Sequence, residues 1–251
     1  MSIAVGRRIN QDDPSLEGYE KILCLTKSSP YGECSPYVLK HETLLSNGKT
    51  VMSNLENIWQ FSKIYEKIEY SRQIKSRFQP DVIWEHPPEN HIINGIIQKE
   101  YWLWRDKGLL TEEPIRYPVG FKNRHTCLCS ISIDKEKNEC KFYNYINARK
   151  NIYLPNYLNS LDSQQAQPKL NILRKKLKEG RNLLIIEVDG PHYESLNYYK
   201  EKYNVDDDFI LSNNVSIMDW NKLNIFLNDP KHPFGHGYCL AWKLMQEFNI
   251  N

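Results

Sequence analysis

Hydrophobic positions along this chain follow two rhythms, one of helical spacing and one of strand spacing. Over residues 53–78, Leu55, Ile58, Trp59, Ser62 and Tyr65 recur at helical intervals, and Phe61, Ile64 and Ile68 widen the stripe. That pattern predicts a long amphipathic helix ending before Pro80. Residues 89–107 predict a second helix, with Gly108 as its stop. Helices are also expected over 170–179, basic and closed by Gly180, and over 193–203, 218–227 and 238–248. Strand signals are shorter. Residues 127–133 and 140–146 alternate around a charged turn at 134–139, which reads as a hairpin. Residues 21–25 form a short candidate strand, and the continuous apolar run LLIIEV at 183–188 predicts a buried central strand. The polar stretch 159–168 reads as a loop.

Helices and strands interleave without a steady strand–helix–strand beat. The expected class is therefore α+β: a single mixed domain over residues 1–251 with a small central sheet surrounded by helices, its first 18 residues a flexible segment. Lys and Arg number 33 against 31 Asp and Glu, a formal net charge of +2, which excludes polyanion binding by bulk charge but permits a local basic groove. Aromatic residues make up 12%, enough to offer a stacking surface for a flat ligand as well as a core. No run is long and apolar enough for a signal peptide or a membrane helix, so a cytoplasmic location is expected. The six cysteines show no CxxC; Cys127 and Cys129 face one side of a strand without further ligands at matching spacing. Reduced thiols, no metal and no cofactor are the expectation. Abundant Asn, Lys, Ile and Tyr fit an AT-rich genome such as that of a virus or phage.

Three polar constellations are candidates for chemistry. In the first, the YGECSPY turn places Tyr31, Gly32 and Ser35 where backbone amides can be presented, and Glu56, Gln60 and Lys63 follow at i, i+4 and i+7 of the predicted helix. These three can line a polar pocket beside Trp59; alternatively Ser53 and Glu56 form a capping box. In the second, Glu187, Asp189 and His192 leave the end of the buried strand through Gly190-Pro191, either displaying acids or closing a turn. The third is the loop from Asn228-Asp229 to Gly235-His236-Gly237, which holds His232 between Pro230 and Pro233. Its glycines permit close approach to a ligand and the following helix start favours an anion; its plain alternative is a rigid loop with solvated histidines. Arg116 belongs to a basic segment able to meet phosphate.

YGECSPY, then NGKT at 47–50, then Glu56-x-x-x-Gln60-x-x-Lys63 together resemble the opening of the NADAR family of small N-glycosidases. The stretch from Asn228-Asp229 through Gly235-His236-Gly237 to Leu244-Met245 resembles that family's closing loop and helix, without its usual Trp-Gly-Asp run. The residues between align poorly, as a large middle insertion would. The resemblance implies hydrolysis of a ribose C–N bond in a nucleotide-like substrate, such as an ADP-ribosylated base or a riboflavin-pathway ribosylamine. Glu56 would serve as the first carboxylate and Asp189 or Asp229 as the second. His192, His236 or Lys63 would give the leaving base a proton or a hydrogen bond, Trp59 or the tyrosines would stack on it, and Tyr31, Gly32, Ser35, Gln60, Arg116, His232, Gly235 and Gly237 would hold the rest. The partner would be that small substrate or a modified nucleic-acid base.

Two other classes compete. Glu187 and Asp189 also echo the Mg²⁺-binding strand of restriction-like nucleases, and the basic and aromatic segments would suit a non-catalytic nucleic-acid-binding protein.

Overall fold

The apolar run at 183–186 lies where its composition demands, paired on both edges. The computed structural model describes residues 1–134 and 139–250. Its strand β14 (Asn182–Glu187) has Leu183, Leu184, Ile185 and Ile186 fully buried. It runs parallel to β1 (Ile3–Arg7) on one side and to β2 (Tyr19–Leu23) on the other, and β15 (Val215–Ile217) joins β1 antiparallel. Helix α8 (His236–Phe248) packs on β1 and β14, and α5 (Gln167–Lys178) also packs on β14. Side-chain alternation then divides β14: Leu184 and Ile186 join Ala4 and Val215 in one apolar cluster, while Ile185 and Glu187 lie against Gly237 at the start of α8.

Contacts divide the chain into two compact units, Met1–Leu39 with Tyr157–Asn251, and Lys40–Asn156. Both mix helices with small sheets, so the α+β class stands. No helix among the described residues is long and apolar enough to cross a membrane.

In the first unit the expected helices appear as α5, as a 3₁₀ turn Tyr193–Ser195 leading into α6 (Leu196–Tyr203), as α7 (Trp220–Asn228) and as α8. The head of the chain, expected to be flexible, is instead held: Ile3, Ala4 and Val5 are buried in β1 because backbone pairing on both edges fixes them. The expected loop at 159–168 shrinks, since α4 (Leu154–Leu161) enters it from one side and α5 from the other.

The second unit is built from short antiparallel pairs around an aromatic core. Strands β3 (Lys40–Leu44) and β4 (Thr50–Asn54) form a hairpin, and helix α1 (Leu55–Phe61) follows directly. The long helix expected over 53–78 stops there. Lys63–Tyr65 becomes β5 and pairs with β12 (Cys127–Asp134), which pairs in turn with β13 (Glu139–Tyr143). The expected hairpin is thus present; residues 135–138 of its charged turn lie outside the described residues. Further pairs are β6 (Lys67–Ile68) with β9 (Glu89–Asn90), and β7 (Ser71–Ser76) with β8 (Gln79–His86). Isoleucines and aromatics at 64–68 fit either period, and the partner strand decides in favour of β.

The helix expected over 89–107 starts only at Lys99. Ahead of it, β10 (Ile92–Ile93) and β11 (Ile96–Ile97) flank Asn94 and Gly95, whose φ of 51° and 76° make a two-residue hairpin turn. Helix α2 (Lys99–Leu110) then runs past Gly108, which is therefore inside the helix and not its stop. The reason is packing: a Cβ on Gly108 would fall 2.2 Å from the ring of buried Phe61 on α1. Gly108→Ala should accordingly lower stability by about 1–3 kcal/mol through overpacking, although alanine alone would favour a helix by about 1 kcal/mol. A thermal midpoint that stays level or rises in this variant would contradict so close an approach of α1 and α2.

Candidate active site

The second unit gathers part of the first constellation. Helix α1 is capped by Asn54, whose side chain accepts the Glu56 amide at 3.0 Å, so the box expected between Ser53 and Glu56 is not how this helix begins. The Glu56 side chain points along the helix, accepting a hydrogen bond from Gln60 Nε2 at 2.9 Å. Gln60 Oε1 in turn accepts from Lys63 Nζ at 2.8 Å. Lys63 reaches this row from β5, after the helix has ended, and not from a third turn of α1. The order fixes the amide: its NH₂ faces the carboxylate and its oxygen faces the ammonium, so each bond polarises the next.

Glu56 is only 7% exposed, yet aromatic surface adjoins this row. The Lys63 ammonium stands 5.0 Å above the Trp59 ring. Trp59 lies 5.1 Å from Tyr153 and 6.3 Å from Tyr145 between ring centres, and buried Arg149 covers Tyr145 at 4.1 Å. Tyr145 opens α3 (Tyr145–Ala148), and Arg149–Tyr153 is a turn of π-helix, a geometry often found at functional sites. Arg116 lies elsewhere on this unit's surface, its guanidinium 5.1 Å over Tyr117.

The other expected residues belong to the first unit. Tyr31, Gly32 and Ser35 form a 3₁₀ turn whose amides are used internally: Gly32 donates to Ser29 O, Cys34 to Tyr31 O and Ser35 to Gly32 O. The Ser35 hydroxyl is buried and accepts from the Tyr37 amide at 3.3 Å.

Strand β14 ends at Glu187, so Asp189 does not continue its face. Glu187 itself closes the turn: Oε1 accepts from the amides of Val188 and Asp189 at 2.7 and 3.2 Å. Oε2 accepts from the Gly237 amide at 2.6 Å and stands 3.2 Å from His236 Nδ1. Gly235 is required here, since a Cβ would lie 2.4 Å from the Glu187 carboxyl carbon. The carboxylate is thus locked between a strand end and a helix start. His192 is half-buried, 3.4 Å from Glu194, and burial with the nearby Arg7 charge lowers its pKa.

Asp229 follows α7 and is fully buried. It accepts from Tyr198 OH at 2.6 Å, Tyr199 OH at 2.5 Å, the Lys231 amide at 3.0 Å and His232 Nδ1 at 2.6 Å. Burial alone would raise its pKa, but the bonds from His232, Tyr198, Tyr199 and Lys231 outweigh this and hold the carboxyl well below the usual range. His232 and His236 are both buried, so the solvated-histidine alternative for this loop does not describe it.

No family model, curated protein or solved structure matches this chain. Among the described residues no three His, Cys, Asp or Glu side chains converge as a metal site. No sequence pattern marks Tyr145 and Tyr153, which meet Trp59 only through folding, or Arg149, which covers Tyr145. For Tyr198 and Tyr199, which donate to Asp229, the adjacent pair on an expected helix is the sole signal.

Proposed function

We propose that this chain is a divergent NADAR-type N-glycosidase, hydrolysing a ribose C–N bond in an ADP-ribosylated base or a ribosylamine. One observation carries the reading: the buried Glu56 carboxylate tied through Gln60 to Lys63, beside the Trp59 and Tyr145 rings. Breaking the glycosidic bond develops positive charge on the sugar, and a fixed carboxylate in a poorly solvated place stabilises that charge or activates water. Gln60 holds Glu56 in a single orientation. Lys63 supplies a proton or hydrogen bond to the departing base, and Trp59 gives that base a face to stack on.

The test is to incubate the protein with ADP-ribosylated guanine nucleotides and with riboflavin-pathway ribosylamines and to measure free base by mass spectrometry. Base release that persists in EDTA is expected. Absence of product from every substrate, with nuclease activity appearing in Mg²⁺, would overturn the proposal.

A further inference from the structure

The first unit holds a second constellation with its own proton path. His232 Nε2 stands 3.0 Å from Ser195 Oγ, and His232 Nδ1 stands 2.6 Å from Asp229 Oδ2. The tautomer follows from the neighbours. Tyr198 and Tyr199 already donate their hydroxyl protons to Asp229, so the group facing the carboxylate from the ring must be Nδ1–H. In the neutral ring Nε2 then carries the lone pair, and the Ser195 hydroxyl is the donor to it. Ser195 closes the 3₁₀ turn Tyr193–Ser195 with helical backbone and runs directly into α6, and its side chain makes no bond to the helix amides. Its hydroxyl is committed to the histidine.

We propose that Ser195, His232 and Asp229 form a hydrolytic centre for short-chain carboxylic esters. Ser195 Oγ bonds the carbonyl carbon while its proton passes to His232 Nε2 and the carbonyl electron pair moves onto oxygen. Collapse breaks the C–O bond to the leaving group, which departs as an alcohol with the proton from Nε2. Water then repeats both steps on the acyl-serine, yielding the acid and restoring Ser195. Ser195 and His232 are the catalytic residues, and Asp229 positions the ring through Nδ1. Ser195 is 6% exposed, lying next to exposed Tyr193 and Glu194, which favours small acyl groups reaching it from the surface.

A fluorophosphonate probe tests this on the whole protein and needs no glycosidic substrate, so this proposal and the glycosidase reading fail separately. One phosphonyl adduct on the peptide containing Ser195 is expected, absent in Ser195→Ala. Hydrolysis of p-nitrophenyl acetate should fall at least about 100-fold in that variant. Ser195→Ala removes a single hydrogen bond, and circular dichroism would verify that it folds. In Asp229→Asn the pH profile of labelling should shift, a change that a merely structural role would not produce. Folded wild-type protein that gains no adduct at Ser195, or that hydrolyses the ester no faster than Ser195→Ala, overturns the proposal.

Discussion

Replacing Glu56 with Gln should reduce base release by roughly 10²–10⁴-fold, the range that positioned acid–base groups supply. The substitution keeps the volume, and its carbonyl oxygen can still accept from Gln60 Nε2, so the bond across α1 survives. What disappears is the negative charge, which matters most when the sugar turns cationic. The loss should therefore appear equally in kcat and kcat/KM, as for an interaction made in the transition state. Saturation kinetics with mass-spectrometric product counting would check this. Near wild-type turnover in Glu56→Gln would remove Glu56 from the chemistry.

Asp229→Ala should be the most destabilising of the substitutions considered, costing about 3–5 kcal/mol as the loss of one member of a buried charged network. It strands two tyrosine hydroxyls, the Lys231 amide and His232 Nδ1 without their acceptor. Against a total stability of about 5–15 kcal/mol, that is a large share. The pH dependence has a definite sign. The folded carboxyl is held below its unfolded value of about 3.9, so its contribution is complete above that value and fades as pH falls through it toward the folded value. Urea unfolding at pH 7 and at pH 3 should show a larger acid loss in wild type than in Asp229→Ala. Equal losses would mean that Asp229 is not the group responsible.

Much of the fold was legible where one period dominates. The uninterrupted Leu-Leu-Ile-Ile of β14 and the apolar faces of α5, α7 and α8 leave little choice of structure. Residues 64–68 are ambiguous because Ile64, Tyr65 and Ile68 satisfy helical spacing equally well, and only pairing of β5 with β12 settles the matter. Ile-Ile-Asn-Gly-Ile-Ile at 92–97 did carry a hairpin signal, but helical spacing on either side obscured it. At the candidate site, Glu56, Gln60 and Lys63 were legible by spacing, although Lys63 arrives from a strand. Tyr145 and Tyr153 were not, since nothing local ties them to Trp59, nor was Arg149, which reaches the site through Tyr145. His232 is legible between two prolines as a candidate for binding or as a solvated side chain; its burial depends on Asp229 and Tyr199, contacts made across a fold and not along a sequence.

Strand β1 lies at residues 3–7, but its partners lie at 182–187 and 215–217. A ribosome therefore releases this strand long before anything exists for it to pair with, whereas Lys40–Asn156 is one uninterrupted stretch able to close on itself first. During synthesis the Ile-Ala-Val segment must wait as an exposed apolar edge, and the sheet that holds β14 is completed among the last events of folding.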